Sequence, residues 1–298
     1  MSALVEIPPA WRDRVAGYPA DGGPSGAQWL SQVPGLVEEG LARWGLRVEG
    51  PGMTGWTALV LPVSRDGEPL VLKVTWPHPE MRTEHLALGI WGGRGAVRLV
   101  AADPSQGLLL LERLDASRDL TPAPIDEACR EIGSLLRVLQ VAAPPTITSL
   151  EDYLPEHLER LAGRPAVPRR IAQRTLGLAR ELFADPGPRL LLHTDLHFEN
   201  VLAGERARWL AIDPKPLAGH PGFELDPLFR NRVSPADGSL RALVHRRLAI
   251  TAEAAGIDLE EARLWSLLRA GLQISWDSVT EPDQLGRAIA IHKALDDA

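Results

Sequence analysis

Between Leu190 and Asp213, short apolar runs alternate with one dense polar cluster, and few folds accommodate that arrangement. Leu190-Leu191-Leu192 reads as a buried strand. It runs directly into His193-Thr194-Asp195-Leu196-His197-Phe198-Glu199-Asn200. Val201-Leu202-Ala203 and Trp209-Leu210-Ala211-Ile212 follow as two more strand-like pieces, the second ending at Asp213. The pattern predicts a tight loop between short strands that presents Asp195 and Asn200 on one rim. The end of the next strand brings Asp213 alongside.

Those three residues have the types and spacing that phosphoryl transfer requires: a placed hydroxyl, a neutralised triphosphate and an in-line geometry. Asp195 is expected to accept a hydrogen bond from the attacking hydroxyl and take its proton. Asn200 offers an amide oxygen to magnesium and Asp213 a carboxylate. Magnesium prefers few protein ligands, all oxygen, completed by phosphates and water. D-x-x-x-x-N followed by a strand-end Asp is the pattern of a kinase catalytic loop and its metal-binding aspartate. Two plainer readings stand beside this one. The polar residues could be loop caps, or His193 and His197, at i, i+4, could hold zinc from a helix. The preceding strand and the lack of an HExxH pattern weigh against zinc. His193 is expected to pack behind the loop and hydrogen-bond its backbone. His197 is expected to do the same or to help place the substrate.

Upstream, Gly50-Pro51-Gly52-Met53-Thr54-Gly55 fits GxGxxG. A dinucleotide fold needs a helix directly after such a loop. Here Thr57 to Leu61 reads as a strand, Asp66-Gly67 as a hairpin turn, and Leu70 to Val74 as another strand. Gly50, Gly52 and Gly55 therefore read as a phosphate-covering hairpin. Lys73 lies inside that last apolar run, where an unpaired ammonium would be costly. It is expected to meet the α and β phosphates of ATP, held by an ion pair to Glu84 on the next helix. Glu80 is the nearby competitor for that pairing. Glu112 and Leu114 bracket a hinge whose backbone would receive the adenine.

The rest of the chain supports a two-lobed α+β fold. The N-terminal lobe, residues 1–113, is an antiparallel sheet with one main helix and a preceding helical segment. The C-terminal lobe, 114–298, is mostly helical and carries the catalytic loop and magnesium site. Residues 1–24, rich in Pro and Gly, are expected to wrap over the surface. Ser25 and Gln28 form a capping box at a helix start, and Pro34 is expected to break or restart that helix. Glu112-Arg113-Leu114-Asp115 leads into helical territory. Ile125, Ala128, Cys129, Ile132, Leu135, Leu136 and Leu139 form one helical stripe. Another helix is expected over Arg169–Phe183, and helices from Ser239 onward.

Composition narrows the classes. Hydrophobic residues make up 45% of the 298, enough for a large core or two joined ones. A formal net charge of −7 disfavours nucleic acid and anionic membrane and suits a cationic small-molecule substrate. The single cysteine, Cys129, forms no internal disulfide and reads as a core residue. The N-terminus lacks a signal-peptide pattern, and no apolar stretch is long enough to span a bilayer. A cytoplasmic enzyme, monomeric or weakly dimeric, is expected.

LLLHTDLHFENVLAG, WLAIDPKPLAGHPGFELDP and WGGRGAVRL closely resemble the streptomycin 6-kinase and hydroxyurea phosphotransferase group of the aminoglycoside phosphotransferases. The resemblance runs from about Trp29 to Trp276. It implies the protein-kinase-like fold, ATP and magnesium as cofactors, Asp195 as base, and Asn200 and Asp213 as metal ligands. The glycine loop departs from the serine-rich version expected of the group. His220 and Glu224 stand where members tend to carry acidic residues, as in GDPGFDL, so His220 removes a negative charge near the presumed substrate rim.

The resemblance implies an ATP-dependent O-phosphotransferase, with streptomycin at its 6-hydroxyl as the leading acceptor. The guanidinium groups of streptomycin would call for carboxylates. Glu199, Glu224, Asp226, Asp277 and Glu281 are the candidates, and Trp276 a candidate cleft wall. Trp265 reads as core. Hydroxyurea, an amino sugar or another metabolite are alternative acceptors. A catalytically inactive module that binds nucleotide or small molecule is the alternative of another class.

Overall fold

A computed structural model describes residues 7–20, 23–233, 238–280 and 284–296. The chain forms two compact units, Met1–Asp115 and Ala116–Ala298.

The first unit is built on an antiparallel sheet. Its strands are β1 (Arg47–Val48), β2 (Met53–Thr54), β3 (Ala58–Arg65), β4 (Glu68–Thr75), β5 (Leu99–Asp103) and β6 (Leu108–Glu112), in the order β1-β3-β4-β6-β5, with β2 also paired to β3. The β3–β4 hairpin turns on Asp66 and Gly67 with φ of 52° and 84°. Both are left-handed, as a two-residue turn matching strand twist requires. One face of the sheet buries Leu61, Val63, Leu70, Leu72, Leu108 and Leu110 with Trp29, Val33 and Val37 of α2 (Gly26–Trp44). Gly40 lets α2 approach closely, since a Cβ there would stand 3.3 Å from Leu72.

Two expectations for this unit are corrected. Residues 9–16 do not wrap loosely. They form a helix, α1 (Pro9–Ala16), that buries Trp11 and Val15, with Trp11 edge-on to Trp29 at 6.0 Å. Pro34 does not interrupt α2. The proline removes one helical N–H, but the buried face of Trp29, Val33, Val37 and Gly40 continues across it. The Ser25–Gln28 capping box is present in both directions. A helix, α3 (Glu84–Trp91), follows β4 and carries Glu84 in its first turn.

The second unit opens with a strand rather than a helix. The polar, exposed β7 (Asp115–Asp119) pairs in a three-stranded sheet, β10-β9-β7, with β9 (Val201–Ala203) and β10 (Leu210–Ala211). Nothing apolar marks such a strand, which is why the sequence pointed to helix there. α4 (Ile125–Leu139) buries the predicted stripe except Ile125, which is half-buried. A helix not foreseen, α5 (Leu150–Gly163), buries Leu150, Leu154, Leu158 and Leu161 despite Pro155 within it. α6 (Arg169–Ala184) follows. α7 (Asp226–Arg230), α8 (Leu240–Ala255), α9 (Leu259–Thr280) and α10 (Leu285–Asp296) complete the unit. No helix among the described residues is long and apolar enough to cross a membrane.

Candidate active site

Strand pairing sets two loops side by side. β8 (Leu190–Leu192) pairs antiparallel with β11 (Leu217–Gly219), with Leu192 opposite Leu217. β9 pairs antiparallel with β10, with Val201 opposite Ala211. The loop 193–200 and the loop 212–216 therefore bridge the same two ribbons and run alongside each other. Backbone bonds join them: Ile212 N–H donates to Asn200 O at 2.9 Å and Lys215 N–H to His193 O at 2.9 Å. Thr194 Oγ1 donates to Lys215 O at 2.5 Å.

Asp195, Asn200 and Asp213 are brought together on these two loops, as the sequence predicts. The geometry is held at some backbone cost. Thr194 and Asp213 have φ of 58° and 57°, a left-handed conformation that non-glycine residues avoid. Asn200 donates its amide N–H to Asp195 O at 2.8 Å. That bond fixes the amide orientation and turns its oxygen the other way.

His193 lies behind the loop, fully buried. Its Nε2 bonds Ile212 O at 2.9 Å while Nδ1 accepts the Asp195 N–H at 3.3 Å. The accepting Nδ1 assigns the proton to Nε2. Burial pushes the His193 pKa down to about 4, so the ring is neutral near pH 7. Both nitrogens are used inside the loop, which removes it from any zinc site. His197 Nδ1 is buried without a hydrogen-bond partner among the described residues.

Three residues that the sequence did not assign to the loop hold or flank it. Glu224 takes the backbone N–H of His193 on Oε1 at 2.6 Å and that of Thr194 on Oε2 at 2.8 Å. Burial raises its pKa to about 7 against the pull of those two donors. Arg269, from α9, donates to Phe223 O at 3.0 Å and to Thr194 O. Lys215 puts its Nζ 3.1 Å from Asp195 Oδ2. A lysine held between Pro214 and Pro216, two residues after Asp213, was the one legible signal among these.

The substrate candidates fare unevenly. Glu224 is an anchor of the catalytic loop rather than a substrate contact, because both its oxygens are committed to backbone. Asp226 is fully buried and pairs with Arg230 at 2.8 Å, so it also belongs to the protein interior. His220 is buried too, not on a substrate rim. It stacks on Trp265 at 5.2 Å, caps the turn at Gly222 and meets Glu261 at 3.3 Å. Trp265 is core. Trp276 is half-buried and donates to His157 Nδ1 at 3.2 Å. Glu199 is exposed. Asp277 lines a cavity of about 210 Å³ with Arg230, Asn231, Gln284, Arg287 and Ala288. Glu281 lies outside the described residues.

In the first unit, Lys73 sits in β4 opposite Val60 and Leu109. Its Nζ is 2.6 Å from Glu84 Oε1, and both side chains are buried. The expected ion pair is present; the Glu80 side chain lies outside the described residues. The glycine motif lies in a hairpin, as expected, with β2 paired antiparallel to β3. Gly50 and Gly52 fall in a bulge where residues 49–52 stand opposite 61–62. Gly55 makes the turn from β2 to β3, its N–H donating to Ala58 O at 2.9 Å. None of the three has a left-handed φ. Glu112 ends β6 and accepts the Arg98 N–H at 2.7 Å. Leu114 follows, half-buried.

A carboxylate and an amide oxygen on neighbouring loops fit magnesium, which takes few protein oxygens and completes its shell elsewhere. No group of three or more His, Cys, Asp or Glu capable of holding a metal occurs among the described residues.

Residues 43–280 match the family described as aminoglycoside/hydroxyurea antibiotic resistance kinase. A hydroxyurea phosphotransferase of Kitasatospora aureofaciens is 43% identical over 93% of this chain and 82% of its own. A streptomycin 6-kinase of Streptomyces glaucescens is 40% identical over 93% of this chain and 92% of its own. The crystal structure of the choline kinase LicA from Streptococcus pneumoniae shares the protein-kinase-like fold, with a TM-score of 0.60 at 14% identity over 90% of this chain and 100% of that one. The matched span and these identities, together with the loop pair that carries Asp195, Asn200 and Asp213, make this chain a member of the aminoglycoside/hydroxyurea antibiotic resistance kinase family.

Proposed function

We propose that the protein transfers the γ-phosphoryl group of ATP to a hydroxyl of a small molecule. The observation that carries this is the cross-bonded loop pair presenting Asp195, Asn200 and Asp213. Asp195 accepts the hydrogen bond of the acceptor hydroxyl, aims its oxygen at the γ-phosphorus and takes its proton as the new P–O bond forms. The bond from the γ-phosphorus to the bridging oxygen breaks, and ADP leaves with that electron pair. Asn200 and Asp213 would hold magnesium, which would supply positive charge to offset that of the phosphates. Lys73, held by Glu84, meets the α and β phosphates. Gly50, Gly52 and Gly55 lie over the phosphates, and the backbone from Glu112 to Leu114 receives the adenine. Most of the acceleration is positioning and charge stabilisation. An ATP-consuming enzyme of this kind acts in the cytoplasm.

Streptomycin is the leading acceptor, supported by the near full-length similarity to a streptomycin 6-kinase. A second reading, hydroxyurea as acceptor, is favoured by the 43% identity to a hydroxyurea phosphotransferase over 93% of this chain. The test is ADP release from ATP and magnesium with streptomycin, hydroxyurea and a panel of aminoglycosides and amino sugars, with product mass. Streptomycin-dependent release with a phosphorylated product is expected. Release with hydroxyurea alone would replace the acceptor. Silence across the panel, with ATP still bound, would favour a binding module and overturn the enzyme.

A further inference from the structure

Lys215 is set into the catalytic loop more firmly than a surface lysine needs to be. Its N–H is bonded to His193 O at 2.9 Å and its carbonyl receives the Thr194 hydroxyl at 2.5 Å. Pro214 and Pro216 restrict the backbone on either side. The starting point of the side chain is therefore fixed, and its ammonium lies 3.1 Å from Asp195 Oδ2. The two side chains are 43% and 22% exposed, so the pair contributes little to stability. The placement calls for another explanation.

An acceptor hydroxyl bonded to the Asp195 carboxylate sits within about 6 Å of that ammonium, given ordinary hydrogen-bond lengths. An ammonium carries three donors on a rotating head, so its bond to Asp195 is compatible with donation to a phosphoryl oxygen. Charge points the same way. The two loops hold the carboxylates of Asp195 and Asp213, and Lys215 is the cation they carry between them. A transferring phosphoryl group adds negative charge at that place.

We propose that Lys215 is a further catalytic residue, which stabilises the charge of the transferring phosphoryl group and keeps Asp195 aimed at the acceptor. The proposal rests on the phosphotransferase reading of the site. The γ-phosphorus loses its bond to the ADP bridging oxygen and gains one to the acceptor oxygen. The hydroxyl proton passes to Asp195. Lys215 keeps all its protons and acts through hydrogen bonds and charge.

The test uses full-length Lys215→Met, Lys215→Arg and Lys215→Cys beside wild type. Removing one preorganised donor of this kind costs about 10²–10³ in kcat. Lys215→Met is expected to lose that much, with acceptor KM, nucleotide Kd and Tm held near wild type, the signature of a contact made in the transition state. Lys215→Arg is expected to keep more of the rate than Lys215→Met. The single native cysteine, Cys129, is fully buried, so 2-bromoethylamine will modify Lys215→Cys selectively. The ammonium thus rebuilt is expected to restore most of the lost rate, whereas iodoacetamide, which adds a neutral group, is not. Turnover by Lys215→Met within a few-fold of wild type would overturn the proposal. So would a loss that tracks a fall in Tm and that neither ammonium nor arginine restores. Wild-type turnover in the same assay separates the two levels: a silent wild type across all acceptors sinks the phosphotransferase reading and this proposal with it.

Discussion

Thr194, held in a left-handed conformation with φ of 58°, donates its backbone N–H to Glu224 Oε2 at 2.8 Å. A β-branched residue does not adopt that conformation unaided, so the carboxylate stabilises the backbone on which Asp195 depends. Glu224→Gln keeps the shape but points an N–H₂ at one of two buried N–H donors. Leaving a buried donor unsatisfied costs about 1–3 kcal/mol. We expect a lower Tm and a kcat lowered at least tenfold, with acceptor KM little changed. Unchanged turnover would remove Glu224 from the support of the loop.

The Lys73–Glu84 pair is buried in the first unit. Breaking a buried pair by removing one partner costs about 3–5 kcal/mol, because the other charge is left uncompensated. Glu84→Gln is therefore expected to destabilise the fold and to raise the Kd for ATP, as Lys73 loses its aim. Denaturant unfolding and nucleotide titration would measure the two effects. Stability and ATP affinity both at wild-type levels would refute this.

Asp195→Ala and Asp213→Ala should fail differently. The first removes the base and should lower kcat sharply while ATP binding survives. The second removes a metal ligand, so magnesium-dependent ATP binding and activity should both be lost. Calorimetric titration with ATP, with and without magnesium, distinguishes them. An Asp195→Ala enzyme with near wild-type turnover would exclude Asp195 as base.

Burial holds His292 down to about 4, and its Nε2 finds no partner among the described residues. Its proton affinity is ordinary in the unfolded chain, near 6.5. Between those values the unfolded state binds the extra proton. Stability from this residue is therefore full above about pH 6.5 and is lost as pH falls through about 4. His193 has the same sign. Glu224 opposes it, since its raised pKa lets the folded state keep a proton that the unfolded chain has released between about 4.5 and 7. His292→Phe should therefore reduce the rise of stability with pH, between about 4.5 and 6, by about 1.4 kcal/mol per pH unit. Urea unfolding at several pH values would show this. Parallel pH profiles for variant and wild type would mean that His292 is already charged in the folded protein.

The adjoining placement of Asp195, Asn200 and Asp213, the Asp66-Gly67 turn, the capping box and the Lys73–Glu84 pair were legible in the sequence. Each obeys a local rule: a fixed spacing, a turn chemistry, or a charge inside an apolar run. The helix continuing through Pro34 and the polar strand β7 were not, because packing and strand pairing overrode the local preference there. The support of the catalytic loop was not legible either. Glu224 and Arg269 lie 30 and 75 residues from Thr194 in the chain, and only the fold brings them to its backbone. Glu224 and Asp226 could pass in the sequence for substrate carboxylates, since a carboxylate bound for solvent and one bound for a buried N–H look the same there. The sequence by itself determined which chemistry the loop carries. Tertiary structure decided which charges face that chemistry, because burial and partner choice depend on segments far apart in the chain.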